Sequence, residues 1–459
     1  MGLTQELAEF VCRLKYTDLP KEVIDKAKEL VLDQLGVQLA CSTLPWSKIV
    51  YDYIKDIKES SGIRGESTIV NYGLKTTAED AAFANASFGH GFEIDDIYVK
   101  GQLHAGPIVI SAALAVGERD NISGEDFIVA ATAGYEVMSR IGAGTRPGPI
   151  FHPTSAMGPF GAAAATCKVL GINDVEITRN ALSIASSFCG GLGEFGETGG
   201  TAKRMHAGIA SRGGLTAAFL AQRGLEGPSA AIEGGKGFAR AFSPDIYNPE
   251  EITHELGKVF KIRDTGLKIH CCCATVHAAM DAALKMRREH DIKSEEIEEI
   301  VDETFSLVIP LVGTIIEPED LSGMQFSAAF NIALALAKGS TQFGDYIEEN
   351  RTDPEILSLA RKVKLVVDDE MESLYPDSQG AKLTVKLKNG TSYTEKVSDP
   401  KGTMRNPLTK EEIEAKFRSL AMVVLAKDKV EQIIETVYRL EKLESMRALS
   451  SLLTREGHI

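Results

Sequence analysis

Between positions 90 and 104 the chain carries two imidazoles, His90 and His104, and three carboxylates, Glu93, Asp95 and Asp96. Proton transfer near neutral pH needs groups whose pKa can be tuned toward 7, and histidine beside carboxylate is the usual supply. Glycines bracket the run, and an alanine-rich, helix-like stretch over 81–86 precedes it. Such a cluster on a loop leaving a helix is either a site or a solvated acidic loop with a capping histidine. The segment alone does not separate the two.

Three further segments carry groups able to do chemistry. His152, in Phe151-His152-Pro153, stands just before an alanine-rich stretch expected to be helical from 158. There it is either an N-terminal packing residue or a base or anion ligand at a helix start. A glycine-rich run from Gly190 ends in Lys203-Arg204-Met205-His206. Gly191, Gly193 and Gly196 match G-x-G-x-x-G, but no strand precedes them and no βαβ pattern surrounds them, which excludes a dinucleotide site. A P-loop is excluded too, for want of Gly-Lys-Ser/Thr. A flexible loop delivering Lys203, Arg204 and His206 to a helix start suits carboxylate binding through charge-assisted hydrogen bonds.

The fourth segment runs from Lys268 through His270 and Cys271-Cys272-Cys273 to His277. Zinc held by His270, Cys273 and His277 would make a metal-dependent hydrolase. Adjacent cysteines diverge, however, and no second cysteine pair follows. Buried thiols at a helix start are the simpler reading, with no metal expected, and Lys268 and His277 are then the chemically interesting members.

The elements that must position these groups are mostly helices. Apolar spacing predicts a helix over 23–39, with Pro20 near its first turn. Alanine-rich helices are expected around 107–117, 125–141, 158–170 and 205–222, with enough small residues for close packing. After about Lys261 the texture changes. Strands are predicted over 297–308, 363–367, 382–387 and 393–397, the last two joined at Asn389-Gly390 as a two-residue hairpin. Helical stretches at 276–289 and 327–338 intervene. Thr409 and Glu412 have capping-box spacing, and apolar periodicity then runs over 417–443. The expected fold is mainly α: a large all-helical domain built from both chain ends (1–262 and 405–459) and a smaller inserted α+β lid domain (263–404).

A net charge of −15 argues against nucleic acid or an anionic membrane as partner. An anionic small substrate stays possible, because a few local cations can dominate one pocket. No apolar run is long enough to span a bilayer. Seven cysteines, an odd number, with no export signal, read as reduced thiols in a cytoplasmic protein.

Taken together, these segments resemble the MmgE/PrpD family, which includes 2-methylcitrate dehydratase, cis-aconitate decarboxylase and iminodisuccinate epimerase. The resemblance spans nearly the whole chain. It rests on Leu7-Ala-Glu-Phe-Val11 with Asp18-Leu-Pro20 and Leu32-Asp33-Gln34-Leu35-Gly36, and on Asn85 through Asp96 followed by His104. Phe151-His152-Pro153, Lys203 through Gly208 and Lys268 through His277 add three segments. Gly402 through Pro407, followed by Lys416-Phe417, closes the series.

The resemblance implies a helical domain plus an α+β lid with the active site between them, a homodimer, and chemistry without an organic cofactor. It places active-site roles on Glu93, His104, His152, Lys203 and His277, with Asp95, Asp96 and His206 in support. Glu93 departs from the family's aspartate. One methylene moves a carboxylate by about a bond length, and misplacement by about 1 Å costs orders of magnitude in rate. A different substrate, or a base supplied by Asp95 or Asp96, would follow. The three cysteines also replace an aromatic-Pro pair.

The expected function is a cofactor-free lyase of a small di- or tricarboxylate, acting by α-proton abstraction in a 2-methylcitrate dehydratase-like dehydration. Epimerisation or decarboxylation of a related polycarboxylate, of the iminodisuccinate or cis-aconitate type, is the alternative, with a metal-dependent hydrolase or a non-catalytic carboxylate-binding protein ranked below both. Glu93, Asp95 or His104 would serve as base, and His152 or His277 as acid. Lys203, Lys268, Arg204, Asp96 and His206 would bind and orient substrate carboxylates.

Overall fold

Small residues set the architecture, because they let helix backbones approach closely. The computed structural model describes residues 2–147 and 150–455, apart from the side chains of Glu197 and Thr198. The chain divides into two units, Met1–Thr265 with Thr409–Ile459, and Gly266–Leu408.

The first unit opens with α1 (Leu3–Arg13), α2 (Lys21–Cys41), α3 (Pro45–Ser61), α4 (Ala78–Gly89), α5 (Gly106–Asp120), α6 (Gly124–Gly144), α7 (Pro153–Val169), α8 (Val175–Ala185) and α9 (Lys203–Gln222). A methyl group on Gly134 of α6 would come within 2.6 Å of Val109 on α5 and 2.8 Å of the Gly161 carbonyl on α7. One on Gly214 of α9 would meet the Pro159 carbonyl at 2.5 Å. Glycine is therefore required where α5, α6, α7 and α9 meet. The unit is not wholly helical: Ser67–Thr68 pairs antiparallel with Lys75–Thr76.

Helix α7 begins at Pro153, not 158. His152 occupies its N-cap and Pro153 its first turn, while Pro159 sits inside the helix. Proline at the first helical position loses no hydrogen bond and has its φ already set. The alanine-rich stretch from 158 is therefore the body of the helix, which starts five residues earlier than expected.

In the second unit α10 (His277–His290) packs on a four-stranded mixed sheet of β1 (Ile297–Thr304), β2 (Val363–Val367), β3 (Ala381–Leu387) and β4 (Ser392–Val397), in the order β2-β1-β3-β4. β1 is parallel to β2 and antiparallel to β3. Ala381, Leu383, Val385 and Leu387 are buried and their neighbours are not, the alternation of a half-covered strand. β1 stops at Thr304, and the apolar residues beyond it open a short helix at Val308.

The β3–β4 connection is a three-residue loop rather than a two-residue turn. The Leu387 N–H donates to the Thr391 carbonyl and the Gly390 N–H to the Leu387 carbonyl. Gly390 takes a positive φ of 86° and Asn389 does not, which matches a type I turn closed by a left-handed glycine. Helix α11 (Ala328–Lys338) is capped by the Ser327 hydroxyl.

The chain then returns to the first unit as α12 (Lys410–Ala421) and α13 (Lys427–Tyr438), both packed on α2. Thr409 and Glu412 form the reciprocal capping box that their spacing predicts. The periodicity over 417–443 is interrupted between these helices, so it belongs to more than one element.

One buried ion pair ties the end of the first long segment to α6. Arg140, fully buried, donates to Glu136 at 2.9 Å and to the carbonyls of His254 (2.9 Å) and Val259 (2.5 Å). The other Glu136 oxygen accepts the Ile262 N–H at 2.8 Å. Removing one partner of a buried pair leaves an uncompensated charge and costs about 3–5 kcal/mol. Arg140→Met should therefore lower stability by about that amount, and adding Glu136→Gln should recover part of it. Thermal and denaturant melts of both variants check this; a single variant as stable as the parent would show that the pair contributes nothing.

Candidate active site

The acidic loop is shaped by its own backbone before its side chains matter. His90 caps the C-terminus of α4, and the Tyr98 N–H closes onto the Leu103 carbonyl at 2.8 Å, with Gln102 in the left-handed region at φ 51°. Asp96 then fastens the loop to the next helix. Its carboxylate accepts the Gly106 N–H at 3.1 Å, in the first turn of α5, and the Tyr135 hydroxyl of α6 at 2.8 Å. A carboxylate at a helix N-terminus also meets the positive end of the helix dipole.

Asp95 lies between two imidazoles. Its Oδ2 is 2.6 Å from His90 Nδ1 and its Oδ1 is 3.5 Å from His104 Nδ1. His104 Nδ1 also faces the Asp96 carbonyl at 2.5 Å, and the His104 backbone N–H donates to the Thr154 hydroxyl at 3.1 Å. A carbonyl only accepts, so Nδ1 carries the proton in this arrangement. The histidines continue as a row. His90 lies 5.3 Å from both His104 and His152, ring centre to ring centre, and His152 lies 5.2 Å from His206, with their Nδ1 atoms 3.1 Å apart. Phe195 sets its ring edge-on to His152 and His206.

Glu93 points to the cations of α9. Lys203 pairs with Glu93 Oε1, and Arg204 Nη1 donates to the same oxygen at 2.8 Å. All three are buried. Lys203 also lies over the Phe195 ring at 5.6 Å and Arg204 over Trp46 at 5.6 Å. The first unit thus brings together Glu93, Asp95, Asp96, His104, His152, Lys203, Arg204 and His206. His90 and Tyr135 join them without having been singled out for roles. His90 is visible in the sequence, five residues before Asp95. Tyr135 sits mid-helix and carries no local signal.

Lys268 and His277 belong to the second unit, and both are buried. His277 Nε2 is 3.4 Å from the Cys272 carbonyl, and its ring packs edge-on against His270 at 5.0 Å. His270 is held on both sides, by Thr341 Oγ1 at 2.6 Å and Asp281 Oδ1 at 3.0 Å. Cys271 and Cys272 are buried thiols, and burial pushes the Cys272 pKa well above its usual range. Among the described residues no three His, Cys, Asp or Glu side chains are placed to hold one metal ion. No helix among them is long and apolar enough to cross a membrane.

The MmgE/PrpD N-terminal domain model matches residues 5–249, and the MmgE/PrpD C-terminal domain model matches 270–442. The chain belongs to the MmgE/PrpD family. Among curated members it is 29% identical to the cis-aconitate decarboxylase-like protein oryM of Aspergillus oryzae, over 99% of this chain and 98% of that one. It is 28% identical to a cis-aconitate decarboxylase of Aspergillus terreus, over 98% of this chain and 96% of that one. It is 29% identical to the cis-aconitate decarboxylase of Mus musculus, over 98% and 93%.

In this MmgE/PrpD protein burial separates the charge states of the cluster. Desolvation, helped by His90, Lys203 and the other histidines, holds His152 well below the ordinary imidazole range. Desolvation and then His90 and Lys203 bring His206 down to about 4. Both rings are therefore neutral at pH 7. Asp96 moves the other way. Burial, then the charge of Asp95, raises it from 3.8 to about 7, against the hydrogen bonds from Tyr135 and Gly106.

An acid whose pKa is higher folded than unfolded binds extra protons when folded. Its contribution to stability is full at low pH and falls as pH rises, here between about 4 and about 7. His206 has the opposite slope between about 4 and 6.5, and that slope is common to parent and variant. Asp96→Asn should thus gain stability relative to the parent as pH rises from about 4 to about 7. Melting temperatures across that range check this, and a difference that stays constant with pH would remove Asp96 from the titration.

Proposed function

We propose that this protein is a lyase of small tricarboxylates whose reaction is decarboxylation of the cis-aconitate type. The observation that carries the reading is the shared carboxylate: Asp95 between His90 and His104, with the Lys203–Arg204 pair buried in the same unit. The names of the curated relatives supply the substrate class.

Loss of CO₂ from cis-aconitate breaks the bond between the methylene carbon and its carboxylate. The electron pair moves into the neighbouring double-bond position, and the displaced π pair takes a proton at the far alkene carbon, which is itself α to a carboxylate. Negative charge therefore gathers on that second carboxylate before the proton arrives. The chemistry calls for cations around the carboxylates and one positioned acid.

Lys203 and Arg204 supply the cations, and Glu93 keeps their heads side by side. His104 is assigned the proton delivery from Nε2, with Nδ1 fixed by the Asp96 carbonyl and Asp95 beside the ring. His152 and His206, neutral at pH 7, serve as hydrogen-bonding groups to substrate oxygens. Asp96, already occupied by Gly106 and Tyr135, anchors the loop in this reading and does not touch the substrate. The binding and acid roles expected of Lys268 and His277 are tested by their alanine variants.

The deciding experiment is proton NMR in D₂O on the EDTA-treated protein with cis-aconitate, citrate, 2-methylcitrate and iminodisuccinate. The expected result is consumption of cis-aconitate, with CO₂ release and one deuterium in the product at a carbon next to a carboxylate. His104→Ala and Lys203→Ala should each lower kcat/KM by about 10²-fold or more while circular dichroism is unchanged. Water loss from 2-methylcitrate, or deuterium exchange into iminodisuccinate, with cis-aconitate untouched would replace decarboxylation by dehydration or epimerisation. Full activity in either variant would overturn that residue's role.

A further inference from the structure

Two motifs at opposite ends of the chain, Leu32-Asp33-Gln34 and Lys416-Phe417, play no part in the chemistry above, yet they meet under the acidic loop. Asp33 projects from α2 and is 2% exposed; Lys416 projects from α12 and is 8% exposed. Lys416 Nζ lies 2.5 Å from Asp33 Oδ1. The same ammonium donates to the Ile94 carbonyl at 2.8 Å. Gly36 allows this approach, since a methyl group there would sit 2.9 Å from the Phe417 ring on α12.

Ile94 separates Glu93, which holds the two cations, from Asp95, which holds the two imidazoles. A buried lysine on the carbonyl between them restrains both directions at once. Two oppositely charged buried groups are costly to keep unless the geometry is good and each finds further hydrogen bonds. The ammonium meets that condition by using the loop's own carbonyl.

We propose that Lys416 is a positioning residue: buried beside Asp33, it holds the Ile94 carbonyl by its own hydrogen bond and thereby sets Asp95 between His90 and His104. The proposal rests on the reading of Asp95 and His104 as proton-transfer groups. Its test therefore includes a readout that does not depend on any substrate.

Asp33→Asn removes the ion pair but keeps the ammonium on Ile94. Asp33→Asn with Lys416→Met removes the clamp as well and leaves no unpaired buried charge. If the clamp is what matters, Asp33→Asn keeps kcat within about 3-fold. The double variant loses about 10²-fold in kcat, the scale of a 1 Å misplacement, with KM changed by less than about 3-fold and with the circular dichroism of the parent. In the substrate-free protein, the ring-nitrogen NMR shifts of His90 and His104 should move in the double variant and stay near the parent's in Asp33→Asn.

A folded double variant with parental kcat and parental ring shifts overturns the proposal, as does a loss seen only in KM. Ring shifts that move as expected while no tricarboxylate turns over would sink the decarboxylase reading and leave the clamp standing. Should the double variant not fold, Asp33→Asn with Lys416→Gln, whose shorter polar head does not reach Ile94, is measured in the same way.

Discussion

Three carboxylates, Asp33, Asp95 and Asp96, are buried close together in the first unit, and the energy of an ionised carboxylate away from water governs what surrounds them. Such a group must find a cation, find hydrogen-bond donors or take up a proton. Each aspartate uses a different solution. Asp33 has the ammonium of Lys416 against a burial that still raises its pKa, Asp95 has two imidazoles, and Asp96 has a backbone N–H, a phenol and a raised pKa. The helices are arranged to bring those partners in. α12 packs on α2, α6 presents Tyr135, and α5 begins at the loop's end.

The same constraint bears on the surroundings of the histidines. His90 and His104 sit against Asp95. His152 and His206 sit beside other histidines and Lys203, where a further positive charge is opposed. One row of four rings thus meets two kinds of surroundings, a carboxylate at one end and the Lys203 ammonium at the other.

Much of this was legible in the sequence because much of it is local. Alanine and glycine at helical spacing marked the first-unit helices, and the Thr409–Glu412 spacing marked the start of α12. The acidic loop and the cations of α9 were visible as clusters. The Asn389-Gly390 pair signalled a hairpin but not its loop length, because a left-handed glycine serves more than one turn. The start of α7 was misplaced because the alanine-rich stretch marks the body of the helix and not its opening. Tyr135, Asp33 and Lys416 could not be paired with their partners from one sequence. Their contacts join residues far apart along the chain, and no periodicity or spacing records such a meeting.

The span from Ile94 to Lys416 covers 322 residues, and it has a consequence for how the protein is made. A chain emerging from the ribosome at about 5–20 residues per second folds its N-terminal parts first. The acidic loop and its histidines are therefore out long before α12 exists. During that interval Asp33 is without its cation and the Ile94 carbonyl without its donor. If Lys416 positions the loop as proposed, the nascent protein carries the acid–base groups of its first unit but does not seat them until α12 has been synthesised.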